Sequence, residues 1–230
     1  MDFLYLLFLL TFVFTMVVQF KVSSTFNRYA HVSSGKGRTG AEVARRILDA
    51  HGLFHVRIER VHGHLTDHFD PRSNVLRLSD SVYDNASASA VGVAAHEVGH
   101  AIQHAEGYAP IIWRTKLVPA VNFASRFSWI AIMIGVFVTY SSYVLGSYVI
   151  YAGIILFAAT TLFHLVTLPC ELNASKRALT ELELCGWYSE GELAASKKVL
   201  GAAALTYVAA LAMSLIQLLR LIRIFGNRRD

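Results

Sequence analysis

Residues 127–168 read FSWIAIMIGVFVTYSSYVLGSYVIYAGIILFAATTLFHLVTL, without one Asp, Glu, Lys or Arg. A membrane-crossing helix needs about 20 apolar residues at a rise of roughly 1.5 Å each. Two such runs fit here, 127–145 and 148–168. Arg126 marks the polar edge of the first, and Pro169 is expected to end the second. The gap between them is too short and too uncharged to hold anything but a turn, so 118–168 is expected to form a transmembrane hairpin. A hairpin returns the chain to the side it left. The polar segments on either side of it, 21–117 and 169–200, are therefore expected on one membrane face, where a single site can draw on both.

Residues 3–20 (FLYLLFLLTFVFTMVVQF) are also uncharged and as a helix reach roughly 27 Å. A cleaved signal peptide calls for a basic start, a shorter apolar core and a small-x-small cleavage site. This run follows Met1-Asp2 and is long and bulky, so it reads as a retained anchor. Residues 201–222 supply a last transmembrane or interfacial helix. The fold class expected is an α-helical membrane protein with about four transmembrane helices and a small α+β portion. The 230 residues, 54% of them hydrophobic, suit one compact unit rather than two large soluble domains. The net charge of +5 comes with basic residues flanking apolar runs, which points to a lipid bilayer and excludes nucleic acid as a partner. Cys170 and Cys185 form no CxxC pair and read as free thiols in a reducing compartment.

Within 21–117, Thr39-Gly40-Ala41-Glu42 has the form of a capping box opening a helix that Gly52 closes. Strands are expected at 55–61, 65–69 and 75–78, with turns at His62-Gly63 and 70–74, as a small antiparallel sheet. A helix over 86–106 follows, with Asp84 and Asn85 as cap candidates and Gly107 as its stop.

That helix carries His96-Glu97-Val98-Gly99-His100, an HExxH pattern. Histidines at i and i+4 lie one turn apart on one face, so both imidazoles can reach one ion. Zinc lowers the pKa of a bound water to around 7, and the neighbouring glutamate can take its proton as a general base. The small apolar flanks VGVAA and AIQHA predict burial, and burying two histidines and a glutamate without a partner is costly. A catalytic zinc needs a third protein ligand. His104 would stand about 12 Å along the axis from His96, too far to share the ion, and reads as a supporting residue. The spacing that would bring in a third histidine shortly after His100 is absent, since Gln103 and Glu106 stand there. Glu171, just after Pro169, is the favoured third ligand, with Glu181, Glu183, Glu190 and Glu192 as competitors read as solvated helix charges.

The segments LTDHFDP (65–71), LSDSVY (78–83), HEVGHAIQHA (96–105), LPCELNASKRAL (168–179) and the late LTYVAAL resemble, in this order, the YugP-type neutral zinc metallopeptidases over nearly the whole chain. The arrangement is also similar to the HtpX-like membrane proteases, whose third ligand is a glutamate in an ExxxD pattern. The resemblance implies a zincin-like portion of gluzincin type, with Zn2+ on His96, His100 and Glu171 and with Glu97 as the base. Ser175 stands where the HtpX-like proteins carry the Asp that orients a ligand histidine. A hydroxyl accepts that bond more weakly, and Asn173 is a candidate to share the role. In zincins an edge strand above the active helix binds substrate backbone. The piece 65–69 is the candidate here, with Asp67 and His68 on the substrate side. His68 reads either as an oxyanion donor or as a surface turn histidine. His31, His51, His55, His62 and His64 fall in no usable pattern.

These features imply a membrane-embedded zinc-dependent endopeptidase acting on peptides or membrane proteins. Any regulatory membrane partner is left open. Other readings are weaker. An intramembrane site-2-type protease would need an LDG segment, which is absent. A scaffold with structural zinc would need a fourth ligand and no base. A metal transporter would need acids within the spanning runs, which hold only His164. Lys21, Arg28, Lys176, Arg177, Lys197 and Lys198 favour a cytoplasmic site by the positive-inside rule, against Arg220, Arg223, Arg228 and Arg229 at the other end.

Overall fold

A computed structural model describes residues 3–34 and 36–226. The element order is α1 (Phe3–Tyr29), α2 (Gly40–Ala50), β1 (Arg57–Val61), β2 (His68–Asp70), β3 (Val75–Ser79), α3 (Ala88–Ala105), α4 (Ala109–Val138), α5 (Tyr143–Leu184) and α6 (Glu190–Gly226). The protein is mostly helical with one three-stranded sheet. Four helices, α1, α4, α5 and α6, are long and apolar enough to cross a membrane. The chain divides into two compact units. One comprises Met1–Val17, Trp113–Leu168 and Tyr207–Asp230, and the other Val18–Ile112 and Pro169–Thr206.

The first, the membrane unit, wears its apolar side chains outside. Phe12, Met16, Trp113, Phe137, Tyr148 and Ile155 are all exposed, as lipid-facing residues should be. Its packing relies on close backbone approach. A Cβ on Gly153 would lie 2.8 Å from the Ser128 carbonyl of α4, and one on Gly135 would lie 2.8 Å from the Ile150 amide of α5. Small residues at helix crossings are how helices meet where no hydrophobic force drives them together. The hairpin tip lies earlier than the sequence suggests. α4 ends at Val138 and α5 begins at Tyr143, because an uncharged tip gives no polarity step to mark it.

Pro169 does not end its helix, contrary to the expectation. α5 runs from Tyr143 through Pro169 to Leu184 as one element. Proline removes one backbone donor, yet helices whose other faces are packed tolerate the loss. The last run is likewise one long helix beginning at Glu190 rather than a short piece from 201.

The second unit holds an ordinary core. Val43, Ile47, Leu48, Leu76, Leu78, Val98 and Ile102 are buried together with Ala178 and Leu182 of α5. The predicted capping box opens α2: Thr39 Oγ1 accepts from the Glu42 amide, and Glu42 Oε2 accepts from the Thr39 amide. Such a cap is worth about 1 kcal/mol. Helix α3 starts two residues later than expected, with Ser87 rather than Asp84 or Asn85 as its N-cap, its hydroxyl accepting from the Ala90 amide.

The sheet corrects a second expectation, because it is mixed rather than antiparallel. The order is β1-β3-β2, with β1 parallel to β3 and β2 antiparallel to it. The chain leaves β1, crosses to the far side of β3's place and returns through a hairpin. Turn residues mark where strands end, not which neighbours they choose. Strand β2 is also shorter than 65–69, since Leu65 sits at φ 56°, outside the extended region. Asp67 ties the approach to β2 onto β3, accepting from the amide of Ser79 at 2.7 Å and from its hydroxyl at 2.9 Å.

Candidate metal centre

Helix α3 presents His96 and His100 on one face, their ring centroids 4.8 Å apart and nearly perpendicular. Glu171, two residues past Pro169 on α5, comes to the same point. Its Oε2 lies 3.1 Å from His96 Nε2 and 3.5 Å from His100 Nε2. One ligand atom from each residue falls within 4.8 Å of the others. The Glu171 side chain is only 2% exposed and the histidines 13% and 9%. The approach of α5 to α3 is close because Gly99 has no side chain: a Cβ there would lie 2.7 Å from the Ala174 carbonyl.

The other ring nitrogen of each histidine is held. Ser175 Oγ lies 3.1 Å from His96 Nδ1, and Gln103 Oε1 lies 3.0 Å from His100 Nδ1. The Gln103 amide is not free to turn round. Its Nε2 donates to the Cys170 carbonyl at 2.8 Å and to Asn173 Oδ1 at 2.9 Å, so Oε1 is the end that faces His100. An oxygen there accepts only, so His100 donates from Nδ1 and keeps Nε2 for the centre. Arg177 Nε also donates to Asn173 Oδ1, and its guanidinium pairs with Glu106 at 2.6 Å.

Glu97 is half-buried, and its Oε2 accepts from the Phe69 amide on β2 at 3.2 Å. Burial pushes its carboxyl above the usual carboxylate range, against the pull of the two imidazoles. Burial alone would lower His100, but the Cys170 thiol and the Glu171 carboxylate outweigh it and raise the imidazole to about 10. Burial also raises Asp67, against the two bonds it accepts from Ser79.

The structure therefore brings His96, His100 and Glu171 together, with Ser175 behind the first. Asn173 does not touch His96; it meets His100 only through Gln103. His104 is outside the cluster, its ring 5.7 Å from that of Phe69. His68 is exposed, donating from Nδ1 to the Thr66 carbonyl, with Arg77 near its Nε2. Glu181 is not a solvated charge, as it pairs with His51 at 2.9 Å with its side chain 16% exposed. Gln103 was visible in the sequence only as a residue excluding another spacing. Its signal was a polar side chain inside a small, apolar, buried helix, where such a group demands partners.

Over residues 4–226 the chain matches the family described as "Putative neutral zinc metallopeptidase", and it belongs to that family. Among curated proteins it is 50% identical over 213 residues to the "Putative membrane protease YugP" of Bacillus subtilis (strain 168), covering 92% of each chain. No solved structure matches. The resemblance read from the sequence segments is thus borne out, and the family places zinc and a proteolytic role at the level of the whole chain.

Proposed function

We propose that this chain is a membrane-embedded zinc endopeptidase in which His96, His100 and Glu171 hold the metal and Glu97 is the general base. The observation that carries the reading is the convergence of two imidazole nitrogens and one buried carboxylate oxygen within 4.8 Å. Two imidazole nitrogens, freed of their protons by the metal that binds them, and one carboxylate are the donor set of a catalytic rather than a structural zinc, which leaves a position open. Bound there, zinc would polarise a substrate carbonyl and acidify water.

The rest is done by side chains of this protein. Ser175 and Gln103 fix the two rings so that both Nε2 lone pairs face one point. Glu97, raised by burial, is suited to take a proton from water and to return it to the leaving amine. Strand β2 lies at the edge of the sheet, and its Phe69 amide already points at Glu97. An extended peptide laid along that edge would meet Phe69 and come within reach of the base. We place the centre on the cytoplasmic side, on the strength of Lys21, Arg28, Lys176, Arg177, Lys197 and Lys198, all in its own unit. The substrates that fit are peptides or exposed segments of membrane proteins.

The test is Glu97→Gln in the zinc-loaded protein. The expected outcome is a fall in peptide hydrolysis of about 10²–10⁴-fold with the metal content unchanged. Hydrolysis at the wild-type rate would remove Glu97 from the role of base.

A further inference from the structure

The membrane unit contains a groove of about 490 Å³ that the proposed peptidase centre does not use. Along α6 it extends from Ala210 to Arg220, about 15 Å at a helical rise. That is close to the depth of one leaflet, half of the roughly 30 Å hydrocarbon core. Most of its wall surface is apolar, with Phe8 of α1, Trp129 of α4 and Phe157 of α5, and Thr15, Thr160, His164 and Ser214 also line it.

One end is different. Arg220 follows directly on the apolar run 201–219. Its guanidinium lies 4.3 Å from the centre of the Phe8 ring and 5.5 Å from that of Tyr5. It donates a hydrogen bond to the Gln217 side-chain oxygen at 3.0 Å. Among the described residues no carboxylate pairs with it. A guanidinium does not give up its proton, and a cation beside hydrocarbon needs an anion or water. Its planar fork matches the two oxygens of a phosphate. An apolar slot one leaflet deep, with a cation at one end, has the charge pattern of an amphiphile with an anionic head.

We propose that this groove binds one anionic phospholipid, its acyl chain lying along α6 between Ala210 and Arg220 and its phosphate on the Arg220 guanidinium. The groove is a property of the membrane unit and is independent of peptide cleavage.

The test uses the full-length protein in mild detergent, mixed with phosphatidylglycerol or with phosphatidylcholine of the same chains and read by native mass spectrometry. The expected result is one phosphatidylglycerol retained per chain, at least tenfold over phosphatidylcholine. Arg220→Gln should abolish that preference, Arg220→Lys should keep most of it, and Ala210→Trp should reduce retention of both lipids by filling the slot. Thermal midpoints of the lipid-free variants show that each is folded. Equal retention of the two lipids, or unchanged selectivity in Arg220→Gln, overturns the proposal. Displacement of the lipid by a neutral apolar transmembrane peptide assigns the groove to a helix instead and overturns it as well.

Discussion

In the unit that carries His96, helices α3 and α5 are joined by polar atoms: Gln103 to Cys170 and Asn173, Ser175 to His96, and Arg177 to Glu106. In the membrane unit, α4 and α5 meet through glycines and the isoleucines Ile132, Ile150 and Ile154, and the buried side-chain bond from Ser214 to Thr161 joins α6 to α5. Shape dominates in the second case, because neighbouring helices replace lipid with more hydrocarbon. The first case must also fix the direction of two ring nitrogens, which shape alone cannot do. The exposed apolar residues follow the same division. Among the described residues, only Phe20, Phe54, Leu172 and Leu184 of the large exposed apolar side chains lie outside the membrane unit.

The sharpest way to break this contrast is at Gly99. Leucine there would drive a side chain into the Ala174 carbonyl and should cost about 3 kcal/mol or more, seen as a large drop in the thermal midpoint in detergent. Gly201→Leu is the control, since nothing lies within 4 Å of a Cβ there; equal effects at the two positions would show that the close α3–α5 approach is not required.

A smaller effect is expected at Gln103. Leucine keeps the volume but removes the acceptor from His100 and all three bonds to α5, the one accepted from the Cys170 thiol included. Zinc affinity should fall about 10–100-fold, measured by competition with a chelator. Unchanged affinity would mean that His100 needs no orienting partner.

The smallest change belongs to the membrane unit. Ser214→Ala removes its bond to Thr161 and should cost only about 0.6 kcal/mol. A loss several times larger, read from the same thermal midpoint, would show that polar locking governs both units alike.

What the sequence disclosed follows from the same physics. Apolar runs free of charge are legible by composition, so the four long helices were expected, and the capping box at Thr39 declared itself by local chemistry. His96 and His100 were legible because one helix carries both. Glu171 was placed with them by the hairpin topology, although the helix turned out to pass through Pro169 without stopping. Pairing in the sheet was not legible, because nothing local tells β1 to run parallel to β3. Gln103 and the actual partner of Asn173 were hidden because their bonds cross from α3 to α5, more than sixty residues apart in sequence.

The most direct measurement of the central claim is zinc per chain, by elemental analysis of protein purified in detergent under metal-replete conditions. Wild type should carry about one zinc, Glu183→Ala should match it, and Glu171→Ala should lose most of it. Full zinc in Glu171→Ala, or none in wild type, would contradict the three-residue centre.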